Sequence, residues 1–289
     1  MAAEANTTMQ NDLIAASIDF TEQFTGSIKK LQEILGVTRL TPMPVGNQIK
    51  IYKSEVTKAN GKVGEGEVIP LSKVTRKLAD TLTLEYSKYR KLVTAESIQS
   101  SGFQAAVNDT DAKLLKDIQK DIKNGLFSHL ANTSSVTTTT ATSFKGAVAK
   151  VMGQLAVKWE DDDIQSVLFV NPVDFYDYLG DTDVTLQTAF GMTYLQGFFN
   201  FNSVIVSSAV PQGKVIATAA NNLNIAYAQV GGNLAQAFSF TTDETGLIGI
   251  AHNNVNDSLT YQSVIMDAME VFPERLDGIV LATIDGKGN

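Results

Sequence analysis

The chain has 289 residues, of which 44% are apolar and only 19% charged, enough for one large domain or two smaller ones with a substantial core. It has no cysteine and only two histidines, which excludes disulfides, thiolate metal sites, cysteine nucleophiles and a histidine-rich metal centre. The first residues lack the basic and apolar regions of a secretory signal, and no apolar run approaches the roughly 18 residues of a membrane span. We therefore expect a soluble protein of a reducing compartment, without a membrane partner.

Charge is distributed unevenly along the chain, whose formal net charge is −8. Residues 41–95 carry ten basic and five acidic side chains, whereas residues 160–289 carry three basic and sixteen acidic ones. The two regions could attract one another within a chain or between copies. The alternative is an ordinary solvated surface screened by salt. The acids interleaved in the basic segment argue against sequence-specific nucleic-acid binding.

The first predicted element is a helix over residues 9–35, because apolar residues recur at helical spacing and Gly36 follows as a stop signal. Residues 41–46 hold two prolines and are predicted to be an extended connector.

A two-stranded ribbon is predicted next. Residues 48–56 and 78–86 alternate between apolar and polar, and the segment 57–68 between them holds the turn former Asn60-Gly61 and further glycines. A lone hairpin is marginal in water. The ribbon therefore needs support, either from a neighbouring subunit or from its own domain, and the sequence leaves both open.

A long helix over about 109–131 is the strongest element, since acids and cap formers open it and an apolar stripe follows. His129 falls in its last turn, where a structural role at the helix end is favoured. A Ser/Thr-rich connector, 133–143, then precedes a helix over 144–159 and marks a candidate domain boundary.

The second half begins as an α/β unit. A strand over 164–170 leads into Asn171-Pro172, which opens a helix ending near Leu179. Beyond Tyr194 the chain becomes β-rich. Strands are predicted at 202–207, 214–218, 223–229, 237–241, 258–270 and 278–284. His252 lies in a segment, 249–256, that has the composition of a turn.

Catalytic signatures are missing. The sequence has no nucleophile elbow, phosphate-binding loop, dinucleotide fingerprint or H-E-x-x-H motif. The acidic run Asp161 to Asp163 lacks the spacing of a calcium loop and is interpreted as a solvated helix end. Aromatic residues around Phe199 favour a core or an interface over a stacking platform. These aromatic residues are Tyr194, Phe198, Phe199 and Phe201.

No catalytic, cofactor-binding or metal-binding residue is therefore predicted. Two classes of protein remain at this point. One is a self-assembling structural subunit, and the other is an enzyme with a carboxylate pair that the sequence does not locate.

The order of these parts resembles the major capsid protein of tailed bacteriophages, which has the Hong Kong 97-type fold. Three stretches carry the resemblance beyond the element order: a strand, Asn-Pro and helix at 167–179, a Gly, strand and Val-Pro-x-Gly passage at 196–214, and a closing strand at 272–284. The resemblance implies an α+β fold with five parts. These are an N-terminal arm (1–45), an extended β-hairpin loop (46–93), a peripheral domain with a spine helix (94–142), an α/β axial domain (143–235) and return strands (236–289).

The same resemblance implies a structural protein and not an enzyme. Its copies would form pentamers and hexamers of an icosahedral shell that encloses double-stranded DNA and contacts it non-specifically. It would be assembled in the bacterial cytoplasm and found in the virion, with a separate scaffolding protein and a portal as partners. An encapsulin-like nanocompartment is the alternative. No covalent cross-link is predicted, because no Asn or assisting carboxylate can be matched to the ribbon lysines.

Combining charge and resemblance gives one hypothesis about contact residues. The basic ribbon of one subunit would lie on the acidic surface of a neighbour. The residues assigned to this contact are Lys58, Lys62, Lys73 and Arg76.

Overall fold

The structure is a computed structural model that describes residues 10–37, 40–131, 136–159, 164–180, 186–190, 192–242 and 244–285. Side chains are described from Phe20 onward, apart from those of Ser54 and Ala189. The acidic run at 160–163 lies outside the described residues.

The helices are α1 (Gln10–Leu35), α2 (Ala95–Ser101), α3 (Asp109–Leu130), α4 (Phe144–Lys158), α5 (Pro172–Leu179) and α6 (Gly232–Phe238). The strands of the first half are β1 (Leu40–Pro42), β2 (Gln48–Thr57), β3 (Lys73–Thr83), β4 (Ser87–Thr94) and β5 (Thr137–Ala141). Those of the middle are β6 (Ser166–Val170), β7 (Gln187–Ala189), β8 (Met192–Phe198), β9 (Phe201–Val206), β10 (Lys214–Ala219) and β11 (Leu223–Tyr227). The last are β12 (Thr241–Thr242), β13 (Ile248–Val255), β14 (Thr260–Asp267), β15 (Met269–Pro273) and β16 (Ile279–Ile284).

Within the described residues these strands form four sheets. A seven-stranded sheet has the order β5-β16-β10-β6-β9-β8-β7, and a four-stranded sheet has the order β12-β13-β14-β4. A three-stranded sheet, β1-β11-β15, and the two-stranded ribbon, β2-β3, complete the fold.

The seven-stranded sheet is the centre of an α/β layer. Its middle strands are apolar nearly throughout, as expected for strands buried on both faces. Helix α4 packs on β16 and β10 through one apolar face. The other face of the sheet joins a second core, which α1, α3 and the smaller sheets share.

Several sequence predictions are confirmed by this arrangement. Helices α3 and α4, strand β6 and the Asn171 cap occur where the patterns place them. The ribbon also forms, with β3 beginning five residues before the predicted start at Leu78 and with a register shift at Ile51/Tyr52.

Two predictions of local structure are wrong. In the predicted strand 237–241, Ala237 and Phe238 instead end helix α6, and only Thr241 lies in a strand, β12. Ser239 between them has a φ of 54°, a left-handed conformation that interrupts the extended backbone of a strand. The segment around His252 is not a turn but strand β13, because all eight of its residues pair with β14. Long-range pairing here overrides the turn composition.

Parts of the ranges assigned to the N-terminal arm (1–45) and the extended loop (46–93) pack in the body of the subunit. From Phe20 onward the apolar face of α1 is buried in the subunit's own core, because Phe24, Ile28 and Leu35 find partners there. In the extended-loop range, the ribbon ends at Thr83 and strand β4 pairs with β14 over eight residues. The ribbon is thus the part that projects.

Candidate assembly surfaces

The ribbon is anchored only at its base. Ile51 and Leu84 are buried there, and Leu84 exchanges backbone hydrogen bonds with the connector at Gly46 and Asn47. Further out, apolar side chains such as Val56 and Val74 are exposed although they face each other across the two strands. The outer ribbon therefore has no packing partner among the described residues of its own subunit.

The four basic residues of the contact hypothesis all lie on the ribbon and are exposed. Lys58 and Lys62 are in the tip between the strands, Lys73 begins β3, and Arg76 lies opposite Ser54 in the register. None of the four forms an ion pair with a described residue. Among the described residues, the ribbon has one ion pair. It joins the exposed side chains of Lys77 and Glu55 across the two strands at 2.9 Å.

A buried charged cluster fixes the root of the ribbon. Lys91 lies on β4, directly after the ribbon, and its Nζ is 2.6 Å from Oδ1 of Asp111 in the first turn of α3. Oδ2 of Asp111 is 3.1 Å from Nε2 of His252 and accepts a hydrogen bond from Ser263 on β14. Burial alone would raise the pKa of Asp111, but its contacts with His252 and Lys91 hold that pKa below the ordinary value. The carboxylate is thus held ionised between the Lys91 ammonium and the His252 imidazole.

The second histidine also has a structural contact. Nε2 of His129, in the last turn of α3, is 2.9 Å from Oε1 of Glu270 on β15. Both ends of α3 are therefore tied to sheets by a carboxylate and histidine pair.

The two stretches that carry the family resemblance in the α/β layer bind each other. The Asn171 side chain accepts from the Val173 N–H, capping α5, and donates to the Val210 carbonyl at 2.7 Å. The Asp174 carboxylate accepts from the Gly213 N–H at 2.6 Å. Two hydrogen bonds therefore join the Asn-Pro turn to the Val-Pro-x-Gly turn. This pair of bonded turns is called the clip below.

Aromatic rings cluster beside this clip. Phe198 and Phe199 have ring centroids 4.4 Å apart, and Phe199 also contacts Phe144 and Tyr178. Phe201 is fully buried, as expected for a core residue. On the outer face of α5, Val173 and Tyr176 remain exposed.

The described residues offer no group of three or more metal-ligating side chains. The strongest carboxylate perturbation is at Asp267, where burial and then the charge of Asp121 raise the pKa to about 7. Asp267 is only 2% exposed, so a substrate cannot reach it in this conformation. In the part of the chain that is described, no helix has the length and apolar character to cross a bilayer.

No protein-family profile matches the chain, and no curated protein matches it by sequence. Solved structures do match. A chain of Mycobacterium phage Patience is 12% identical, with a TM-score of 0.51 over 99% of this chain and 96% of that one. The capsid of an empty GTA particle gives 8% identity and a TM-score of 0.55 over 98% and 94%. The holo-SrpI encapsulin complex from Synechococcus elongatus PCC 7942 gives 10% and 0.51 over 88% and 87%.

These neighbours are phage capsid chains and capsid-like shells. The chain therefore has the mixed helix-and-sheet Hong Kong 97-type capsid fold that the family resemblance implies.

Proposed function

We propose that this chain is the major capsid protein of a tailed bacteriophage. Its copies assemble as pentamers and hexamers into an icosahedral shell that encloses double-stranded DNA. The observation that carries the proposal is the ribbon, which projects from a fold shared with shell proteins. It leaves apolar and basic side chains without partners among the described residues of its own subunit.

Charge supports contact between copies. The basic residues Lys58, Lys62, Lys73 and Arg76 project with the ribbon, whereas the net negative charge lies in residues 160–289. Contacts of this kind steer and register association, and apolar burial provides most of the cohesion. The spine role of α3, the arm role of residues 1–45 and the peripheral and axial division of the chain belong to this proposal.

The partners follow from the same role. A scaffolding protein guides shell closure, a portal occupies one vertex, and packaged DNA is contacted non-specifically. The shell is assembled in the host cytoplasm and becomes part of the virion, and the subunit performs no catalysis.

Charge reversal tests the contact hypothesis. The variant K58E/K62E/K73E/R76E should fold with an unchanged circular dichroism spectrum but form at least tenfold fewer particles by light scattering. A matched control reverses four exposed lysines outside the ribbon, K113E/K116E/K145E/K158E, and should assemble like the wild type. Normal shells from the ribbon variant would refute the contact.

An encapsulin-like compartment is the second candidate, because an encapsulin complex is among the structural neighbours. The contents of the particle distinguish the two functions. Nuclease-protected DNA after infection supports the capsid, and a co-purifying cargo protein in particles without DNA supports the compartment.

A further inference from the structure

A pocket that the proposed assembly does not use lies between helix α1 and the start of α3. It has a volume of about 310 Å³, at the lower end of the range for pockets that hold small molecules. Phe20 and Gln23 of α1 form one wall, and the first turn of α3 forms the other. Strand β13 provides the floor through Ile250 and His252. All these residues belong to one subunit, so the pocket does not depend on assembly.

The floor of the pocket is part of the buried charged cluster. Nε2 of His252 lies 3.1 Å from Oδ2 of Asp111, and the two side chains are only 8% and 7% exposed. Oδ1 of Asp111 lies 2.6 Å from Nζ of Lys91, behind the pocket. The His252 ring also stacks on Tyr261, with ring centroids 5.6 Å apart. A ligand therefore meets a surface that is already ordered, which lowers the entropic cost of binding.

The rim of the pocket includes a turn of π-helix, Gln104–Asn108, that runs directly into α3. Such wide turns are rare and are frequent at functional sites. The Asn108 amide donates to Oε1 of Gln104 at 2.8 Å, and Oδ1 of Asn108 accepts from no described residue. Asp109 follows at an exposed position and forms no ion pair with a described residue. The rim therefore offers hydrogen-bond acceptors to a ligand.

The charge of the lining favours a cation. Asp109 and Asp111 line the pocket, and none of the described residues that line it is a lysine or an arginine. Because Lys91 already balances Asp111, the Asp109 carboxylate gives the lining its net negative charge. The next groove along α1 and α3 has the opposite character, since Lys30 and Lys116 line it and no described acid does. An anion would therefore be repelled from the pocket and attracted to the neighbouring groove.

We propose that this pocket binds a small primary amine. Its ammonium group contacts Asp109 and Asn108 at the rim, and its hydrocarbon chain lies on the apolar part of the lining, which is Phe20, Ala112 and Ile250. An ammonium group has three donors and no acceptor, so it matches a rim of acceptors. The inference goes beyond the proposed function, because it concerns a single subunit and requires no shell.

Three ligands of equal chain length test the preference for a cation. Isothermal titration calorimetry of the purified chain at pH 8 compares pentylamine, pentanol and pentanoate. Pentylamine should bind at one site per chain and at least tenfold more tightly than pentanol, since hydrogen bonds between charged groups are the stronger ones. Pentanoate should show no saturable binding. Failure of pentylamine to bind, or equally tight binding of pentanol or pentanoate, would overturn the proposal.

Substitutions at the rim locate the site. D109N should fold like the wild type, because the side chain is exposed, yet bind pentylamine at least tenfold more weakly. D117N removes an exposed carboxylate of α3 outside the pocket and should bind like the wild type. Q104K adds a cation to the rim and should abolish binding, whereas Q99K, at an exposed position of α2, should not.

Wild-type affinity in D109N and Q104K would overturn the assignment of the amine to this pocket. The outcome is separable from that of the proposed function. A chain that binds the amine but forms no particles would overturn the proposed function alone, and a chain that forms particles but binds no amine would overturn this inference alone.

Discussion

Nε2 of His252 lies 3.1 Å from Oδ2 of Asp111, although 141 residues separate the two in the sequence. The contact joins the first turn of α3 to strand β13, and Lys91 on the other side of the carboxylate joins the same turn to β4. Because β4 directly follows the ribbon, this cluster holds the root of the projecting limb against the body of the subunit.

Asp111→Asn should destabilise the subunit strongly. The substitution leaves Lys91 and His252 without their buried anion, and breaking a buried pair of this kind costs about 3 kcal/mol. Urea unfolding at pH 7 measures the loss. Asp109→Asn, at an exposed position in the same helical turn, should cost less than about 1 kcal/mol. Equal effects of the two substitutions would contradict the account of the cluster.

The Asp111 contribution should also depend on pH. Its folded-state pKa lies below the ordinary value of 3.8, so the stabilisation is fully present above that value and is lost as the pH falls through the lowered pKa. The difference between wild type and Asp111→Asn should be largest near pH 7 and should shrink in strong acid. A difference that is independent of pH would argue against an ionised Asp111.

The contribution of Asp267 to the stability of the subunit should have the opposite pH dependence. Burial and the neighbouring Asp121 raise its pKa to about 7, and Oδ1 of Asp267 has no hydrogen-bond partner in the described part of the structure. The folded state favours the protonated form, so this group lowers stability progressively as the pH rises from about 4 to about 7.

Asp267→Asn should therefore stabilise the subunit by roughly 2–4 kcal/mol at pH 8 and have little effect at pH 4. Urea midpoints at the two pH values measure the change. Asp257→Asn, in an exposed turn, is the control and should leave both midpoints unchanged. An Asp267→Asn variant that is no more stable than the wild type at pH 8 would show that Asp267 does not carry a buried charge there.

Two glycine-to-alanine substitutions should change the free energy of unfolding in opposite directions. A Cβ at Gly278 would lie 2.8 Å from Cζ2 of Trp159, so Gly278→Ala should cost about 1–3 kcal/mol by overpacking. Gly153, within α4, has open space around it, so Gly153→Ala should stabilise by about 0.5–1 kcal/mol. Fluorescence of Trp159, the single tryptophan, reports both unfolding curves. Stabilisation by Gly278→Ala would contradict the packing described around Trp159.

The two hydrogen bonds of the Asn171 side chain should contribute separately to the stability of the subunit. Asn171→Ser keeps the cap on α5 but loses the hydrogen bond to the Val210 carbonyl, and should cost about 1 kcal/mol. Asn171→Ala loses both contacts and should cost about 2 kcal/mol. Thermal unfolding measures the series. If serine and alanine were equally destabilising, the cap would contribute nothing.

Sequence patterns predict the parts of this fold that local chemistry determines. Helix α3 follows from its caps and apolar stripe, and the start of α5 follows from Asn171-Pro172. Strand β13 escapes prediction because its polar end around His252 is held by pairing with β14, which local composition does not encode.

The candidate contact surfaces were predictable only in part. The basic two-stranded ribbon follows from the sequence pattern, and its projection is implied by the family resemblance. The groove between the ribbon base and the β1-β11-β15 sheet follows from neither. That groove joins Met43, Ile49 and Phe272, whose separation along the chain exceeds 200 residues between the first and the last. The cluster at Asp111 is hidden for the same reason, since no spacing in the sequence relates Lys91 to His252.

The state of association in solution tests the central claim most directly. Light scattering and negative-stain microscopy of the purified wild-type chain, over a hundredfold range of concentration, should show closed particles with fivefold and sixfold clusters of subunits. A single species of 31.1 kDa at every concentration, with the ribbon protected from proteolysis on its own subunit, would contradict the claim.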